Sequence, residues 1–168
     1  MQRVIDNPRS GERIVICQSA AETGGQLLAF DVFLQPGAHV PASHSHPRQE
    51  ERFTVLAGRV RFRLGRSTVR VEPGNSLSVP PGTAHWFGNC GAGVARVHVE
   101  VRPALRMQEL LAESVLRSTP SRPWWSRLID VALIPFEFQQ EVGVPHVPAP
   151  LLTAVLTPLA WLRPRLSA

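Results

Sequence analysis

Four of the six histidines in the 168-residue chain, together with two adjacent glutamates, fall in two short segments, residues 37–51 and 80–85. His44 and His46 are separated by one residue, so on an extended strand both rings point to the same side, as two-point coordination of a single ion requires. Glu50 and Glu51 follow beyond a turn at Pro47, close enough in sequence for a carboxylate to return to that ion. Strand phase chooses between them. Phe53 and Val55 form the apolar face of the next strand, and Glu51 shares their parity while Glu50 shares that of Arg52 and Thr54. His85 shares parity with Phe87, so it can also turn inward and bring a third imidazole from a distant strand. The competing account is a metal-free binding barrel lined by the same polar groups. Burying three imidazoles and a carboxylate together without an ion leaves several desolvated groups to satisfy, so an ion is the more economical explanation.

Composition closes off other chemistries. All 18 basic residues are Arg, with no Lys and no Tyr, which removes Schiff-base catalysis, a phosphate-binding P-loop lysine and a phenolic acid or base. Cys17 and Cys90 are too far apart to read as a metal pair and too few for a disulfide framework; they are expected to be small buried thiols. The first residues lack an apolar core followed by a small-residue cleavage site, so a cytoplasmic location is expected. A net charge of +5 raises the question of nucleic acid. The one basic cluster, Arg52, Arg59, Arg61, Arg63, Arg66 and Arg70, alternates with apolar residues as the wet face of a hairpin does. Exposed aromatics or a recognition helix are not evident beside it, so nucleic acid is not an expected partner.

The elements that must position the histidines change character along the chain. Up to residue 102, Gly and Pro break the sequence into short alternating runs: Arg13 to Cys17, Gln26 to Leu34, Phe53 to Ala57, Arg59 to Leu64, Thr68 to Val71, Ser76 to Val79 and Val94 to Val101. Seven or more strands at this spacing predict a sandwich or barrel. Beyond Pro103 the period becomes helical, with Met107, Leu110, Leu111 and Ser114 on one stripe and Glu113 paired to Arg117, predicting a helix from Ala104 to about Ser118. Trp124 to Ile134 and Leu151 to Leu162 are further helical candidates, punctuated by Pro135 and Pro158. Neither reaches the ~20 uninterrupted apolar residues of a membrane span. Two regions follow, a β-barrel over 1–102 and a helical C-terminal extension over 103–168.

At the histidines the chain resembles the cupin superfamily. The first family motif runs Gly, five residues, His-x-His, three or four residues, Glu, six residues, Gly; His44, His46, Glu51 and Gly58 match it, with Gly37 one residue further upstream than the pattern. The second runs Gly, five residues, Pro-x-Gly, two residues, His, three residues, Asn; Gly74, Pro80, Gly82, His85 and Asn89 match it without a gap. The resemblance spans about residues 29 to 101. It implies an all-β double-stranded β-helix of the jelly-roll kind, holding one metal on His44, His46, Glu51 and His85.

That ligand set suits a divalent transition ion such as Fe, Mn, Ni, Cu or Zn. The family implies dioxygenases, isomerases and decarboxylases, and the reading favoured among these is a mononuclear metal-dependent oxygenase acting on a small organic substrate, with Glu51 able to double as a base. The alternative is a non-catalytic small-ligand-binding barrel or a structural metal. Trp86, Phe87 and His98 are the candidates for lining the pocket. The extension is expected to dock on the barrel or on the second subunit of a homodimer, rather than rest on a membrane through Trp124, Trp125 and Trp161.

Overall fold

The computed structural model describes residues 3–7, 10–40, 42–118, 128–129 and 131–166. Their strands are β1 (Val4–Asn7), β2 (Glu12–Gln18), β3 (Leu28–Leu34), β4 (Glu50–Ala57), β5 (Val60–Leu64), β6 (Ser67–Val71), β7 (Ser76–Val79), β8 (His85–Asn89) and β9 (Ala95–Arg102). They form two antiparallel sheets, one in the order β1-β2-β3-β9-β4-β7 and one in the order β6-β5-β8. This is the expected double-stranded β-helix arrangement.

Two strands go beyond the sequence expectation. β1 is short and carries Asp6 and Asn7, residues poor in strand preference, and its pairing with β2, Ile5 opposite Ile14, makes it a strand. β8 combines His85, Gly88 and Asn89, which obscure its alternation. It is set instead by pairing with β5, with Phe62 opposite Phe87 and Leu64 opposite His85.

Alternation fills the space between the sheets. Leu28, Phe30, Val32 and Leu34 of β3 face Val101, Val99, Val97 and Ala95 of β9 across the ladder, and all are buried. Phe53 of β4 reaches across to Phe62 and Phe87 of the smaller sheet, with ring centroids 5.1 Å away in each case. The opposite phase of β5 puts Arg59, Arg61 and Arg63 in solvent, as read from sequence. The cysteines do not follow expectation: Cys17 and Cys90 are both exposed. Cys17 sits where the β2–β3 register shifts between Ile16 and Gln18, and that irregularity places it outside the core.

The β4-to-β5 turn is closed by Gly58, whose φ is +77° and whose missing Cβ would lie 2.7 Å from the Ala95 Cα. A side chain there meets both backbone strain and a backbone collision. Gly58→Ala is expected to cost at least about 2 kcal/mol in urea unfolding.

The C-terminal helices are α1 (Met107–Ser118), α2 (Ile134–Glu137) and α3 (Ala149–Leu166). Met107 and Leu110 of α1 are buried on the expected stripe, and Arg117 Nε donates to Glu113 at 2.9 Å. Residues 128–129 and 131–132 are helical, in line with the second helical candidate, and the helix stops just before Pro135, which lies in the first turn of α2, where a missing N–H costs nothing. α3 runs through Pro158 and is longer at both ends than the predicted Leu151 to Leu162. Residues 119–127, including Trp124 and Trp125, and the Trp161 side chain lie outside the description. Leu133, Ile134 and Phe138 are buried, so residues 133–138 pack inward, while Leu151 and Val155 of α3 are exposed. Among the described residues no helix is long and apolar enough to cross a membrane.

Candidate metal centre

His44, His46, Glu51 and His85 converge, with one potential ligand atom from each lying within 4.8 Å of all the others. Register explains the convergence. His44 and His85 are directly paired, each backbone N–H donating to the other's carbonyl at 3.0 and 2.8 Å, so their rings share a face with centroids 4.4 Å apart. His46 is held one step on, its carbonyl accepting the Gly82 N–H at 2.8 Å. Glu51, the second residue of β4, is on the inward phase, two positions before Phe53, which backs the His85 ring at 6.0 Å. His46, Glu51 and His85 are buried, and His44 is half-buried.

The outer partners of the rings fix their chemistry. Nδ1 of His44 is 3.0 Å from the Ala42 carbonyl, Nδ1 of His85 is 3.0 Å from the Thr83 carbonyl, and Nδ1 of His46 meets the Glu141 carbonyl. A carbonyl only accepts, so each Nδ1 carries a proton, and in the neutral form of the ring the Nε2 lone pair turns inward. There His46 Nε2 and His85 Nε2 lie 3.2 and 2.8 Å from Glu51 Oε2, and none of these three buried atoms has a hydrogen-bond partner. Two donors bound at about 2.1 Å to one ion sit roughly 3.0–3.4 Å apart in octahedral or tetrahedral geometry, close to what is found here. Three lone-pair donors facing one another in the dry interior fit a cation between them.

Charge in the site agrees. Burial alone would raise the Glu51 pKa, but the neighbouring His46 and His85 rings outweigh it and hold the carboxyl well below the usual range. Burial lowers His46, yet the Glu51 charge prevails and raises it. His44 is lowered to about 4, first by burial and then by His46 and His85. His44 is therefore neutral at pH 7 and ready to ligate, whereas the upward shift of His46 makes a proton a stronger competitor of an incoming ion for its Nε2. Metal affinity is expected to fall as pH drops through the raised His46 value, with proton release on binding measurable by calorimetry in buffers of different ionisation enthalpy.

The family model of the Cupin domain matches residues 30–101, the segment that carries all four converging residues. Over residues 30–101 the barrel is a cupin domain. Among solved structures the chain is similar to KdgF from Halomonas sp. (21% identity over 61% of this chain and 88% of that one, TM-score 0.52). It is also similar to a predicted oxalate decarboxylase from Thermotoga maritima (21% identity, 60% and 90% coverage, TM-score 0.54). A third is an uncharacterized conserved protein with a double-stranded β-helix domain from Klebsiella pneumoniae (19% identity, 60% and 84% coverage, TM-score 0.52). At these identities the likeness is one of fold. No curated protein matches the sequence.

The three pocket candidates go elsewhere. Trp86 alternates with His85 and so lies on the outer face of the cupin's smaller sheet, against His39 at 5.4 Å and under the Arg61 guanidinium at 5.5 Å. Phe87 points inward but is core, stacked on Phe62 at 5.5 Å. His98 alternates with the buried Val97 and Val99 and stands on the outer face of the larger sheet.

On that outer face His98, Cys17 and Asp31 form a second group of metal-ligating types. Its carboxylate is already occupied. Asp31 Oδ1 accepts from His98 at 2.7 Å, and Oδ2 accepts from Arg96 at 3.0 and 2.6 Å. Local desolvation and then the Asp31 charge raise the Cys17 thiol, keeping it protonated. Burial raises Asp31, but the His98 and Arg96 contacts prevail and hold it below its ordinary value. A carboxylate with a depressed pKa contributes stability above its unfolded value near 3.9 and loses it as pH falls through the folded value. Asp31→Asn is expected to cost about 1–3 kcal/mol at pH 7 and progressively less below pH 4, as read by denaturant unfolding.

Sequence reasoning had no sight of Glu141. It touches the site through a backbone carbonyl, which leaves no signature in residue type.

Proposed function

We propose that the barrel binds a single divalent transition ion on His44, His46, Glu51 and His85 and acts there as a mononuclear metal-dependent enzyme on a small organic substrate. The observation that carries this reading is the set of three inward, buried and unpartnered donor atoms, each imidazole held in the ligating tautomer from outside. An ion bound there supplies Lewis acidity and open positions for substrate oxygen atoms. The chain's own contribution is to fix the donors and keep water from three of them. His44, the least buried ligand, marks the side from which a substrate approaches. Glu51 Oε2 is shared between two histidines, which suits it to ligation better than to service as a mobile base.

Oxygenase chemistry is the first activity to test, by dioxygen uptake of the Fe(II)-loaded protein with a panel of small hydroxy acids, diols and phenols. Substrate-dependent uptake that is lost in His85→Ala supports it; uptake equal to that of free Fe(II) overturns it. The burial of His46, Glu51 and His85 favours a second reading, a structural ion. Azide separates the two, since it perturbs the visible spectrum of a Co(II) centre with an open position and leaves a sealed one unchanged. A homodimer is also proposed, because Leu151 and Val155 expose one side of α3, and sedimentation at varied concentration tests it.

A further inference from the structure

The cupin family match ends at residue 101, yet one carbonyl on the metal-facing histidines comes from residue 141. The contact belongs to a built junction. Gly143 and Ser45 exchange both backbone hydrogen bonds, at 2.8 and 3.2 Å, forming a short antiparallel bridge beside His46. Arg48 donates to Gln140 at 3.2 Å on the same edge. Glu141 is itself buried, and its Oε1 accepts the Arg106 N–H at 3.1 Å just before α1. One residue therefore joins the ligand loop through its main chain to the start of the helical extension through its side chain. Gln49, fully buried, ties the same loop to the carbonyls of Pro103 and Ala104 at 2.9 and 3.0 Å.

We infer that the segment 140–143 is the outer coordination shell of the metal centre, with Glu141 as a positioning residue, so that metal affinity depends on the docked C-terminal extension. This rests on the metal reading above. The Glu141 carbonyl holds the His46 proton on Nδ1 and so keeps Nε2 free. When the segment undocks, the ring loses both its orientation and its tautomer, and the ligand loop loses a paired edge. Outer-shell partners of metal-bound histidines are typically worth 10- to 100-fold in affinity. Coupling is reciprocal, so a bound ion must strengthen docking of the segment by the same factor.

The test uses the full chain and Co(II), followed by visible absorption and calorimetry. Gly143→Pro removes the N–H that bonds Ser45, and Glu141→Ala removes the anchor on Arg106, whereas Glu141→Gln keeps an acceptor oxygen. The first two are expected to bind Co(II) 10- to 100-fold more weakly with an unchanged circular dichroism spectrum, and Glu141→Gln to bind within a few-fold of wild type. Folded Gly143→Pro and Glu141→Ala proteins of wild-type affinity would overturn the inference while leaving the metal reading intact. If those two variants do not fold, hydrogen exchange in the wild-type protein decides. Co(II) should slow exchange at the Ser45 and Gly143 amides, and unchanged exchange on saturation overturns the inference. A wild-type protein that binds no Co(II) contradicts the metal reading itself.

Discussion

His85→Ala is expected to reduce affinity for divalent first-row ions by more than 100-fold, beyond the range of an outer-shell change, because it removes a donor itself. The His85 side chain is fully buried, its Nδ1 is fixed by Thr83, and its Nε2 is the donor nearest Glu51, at 2.8 Å. Among the described residues nothing nearby can replace it, since His39 is turned onto Trp86 and His98 lies on the far face of the larger sheet. His44→Ala should be milder, because water can reach a half-buried position and complete the coordination. Co(II) titration of both variants checks the order. Equal losses would mean that burial does not set the contribution of each ring.

Phe53→Ala is expected to destabilise the protein by about 3–5 kcal/mol, the range for emptying a large aromatic from a core. Phe53 is 1% exposed and bridges the two sheets through Phe62 and Phe87. Its removal leaves a cavity that rigid strands on both sides cannot close. Against a total stability of about 5–15 kcal/mol for a domain, that loss is a large share. Because the same ring backs His85, metal affinity should fall as well. Urea unfolding with and without metal separates the two effects: the destabilisation persists without metal, whereas added metal protects the variant less than the wild type.

How much of this was legible depended on whether the signal lay in residue type or in pairing. Glu51 was separable from Glu50 because strand parity ties it to Phe53 and Val55, and β4 keeps that parity. His44 and His85 were recognisable by type and motif spacing, but their direct pairing is a matter of register. Nearness in sequence is a poor guide to which face of a strand a side chain takes. Trp86 and His98 each adjoin an inward residue, and in a strand the adjacent residue faces the opposite way. Cys17 looked like a core residue by type, and a bulge turned it out. The link from residue 141 to His46 runs through backbone groups, so no choice of amino acid announced it.

Elemental analysis of the protein purified without added metal, followed by titration with Mn(II), Fe(II), Co(II), Ni(II) and Zn(II), decides whether His44, His46, Glu51 and His85 hold an ion. The predicted result is a single stoichiometric divalent transition ion, either resident or taken up on titration, and lost in His85→Ala. Wild-type protein that is folded, holds no such ion and takes up none of the five would contradict the account.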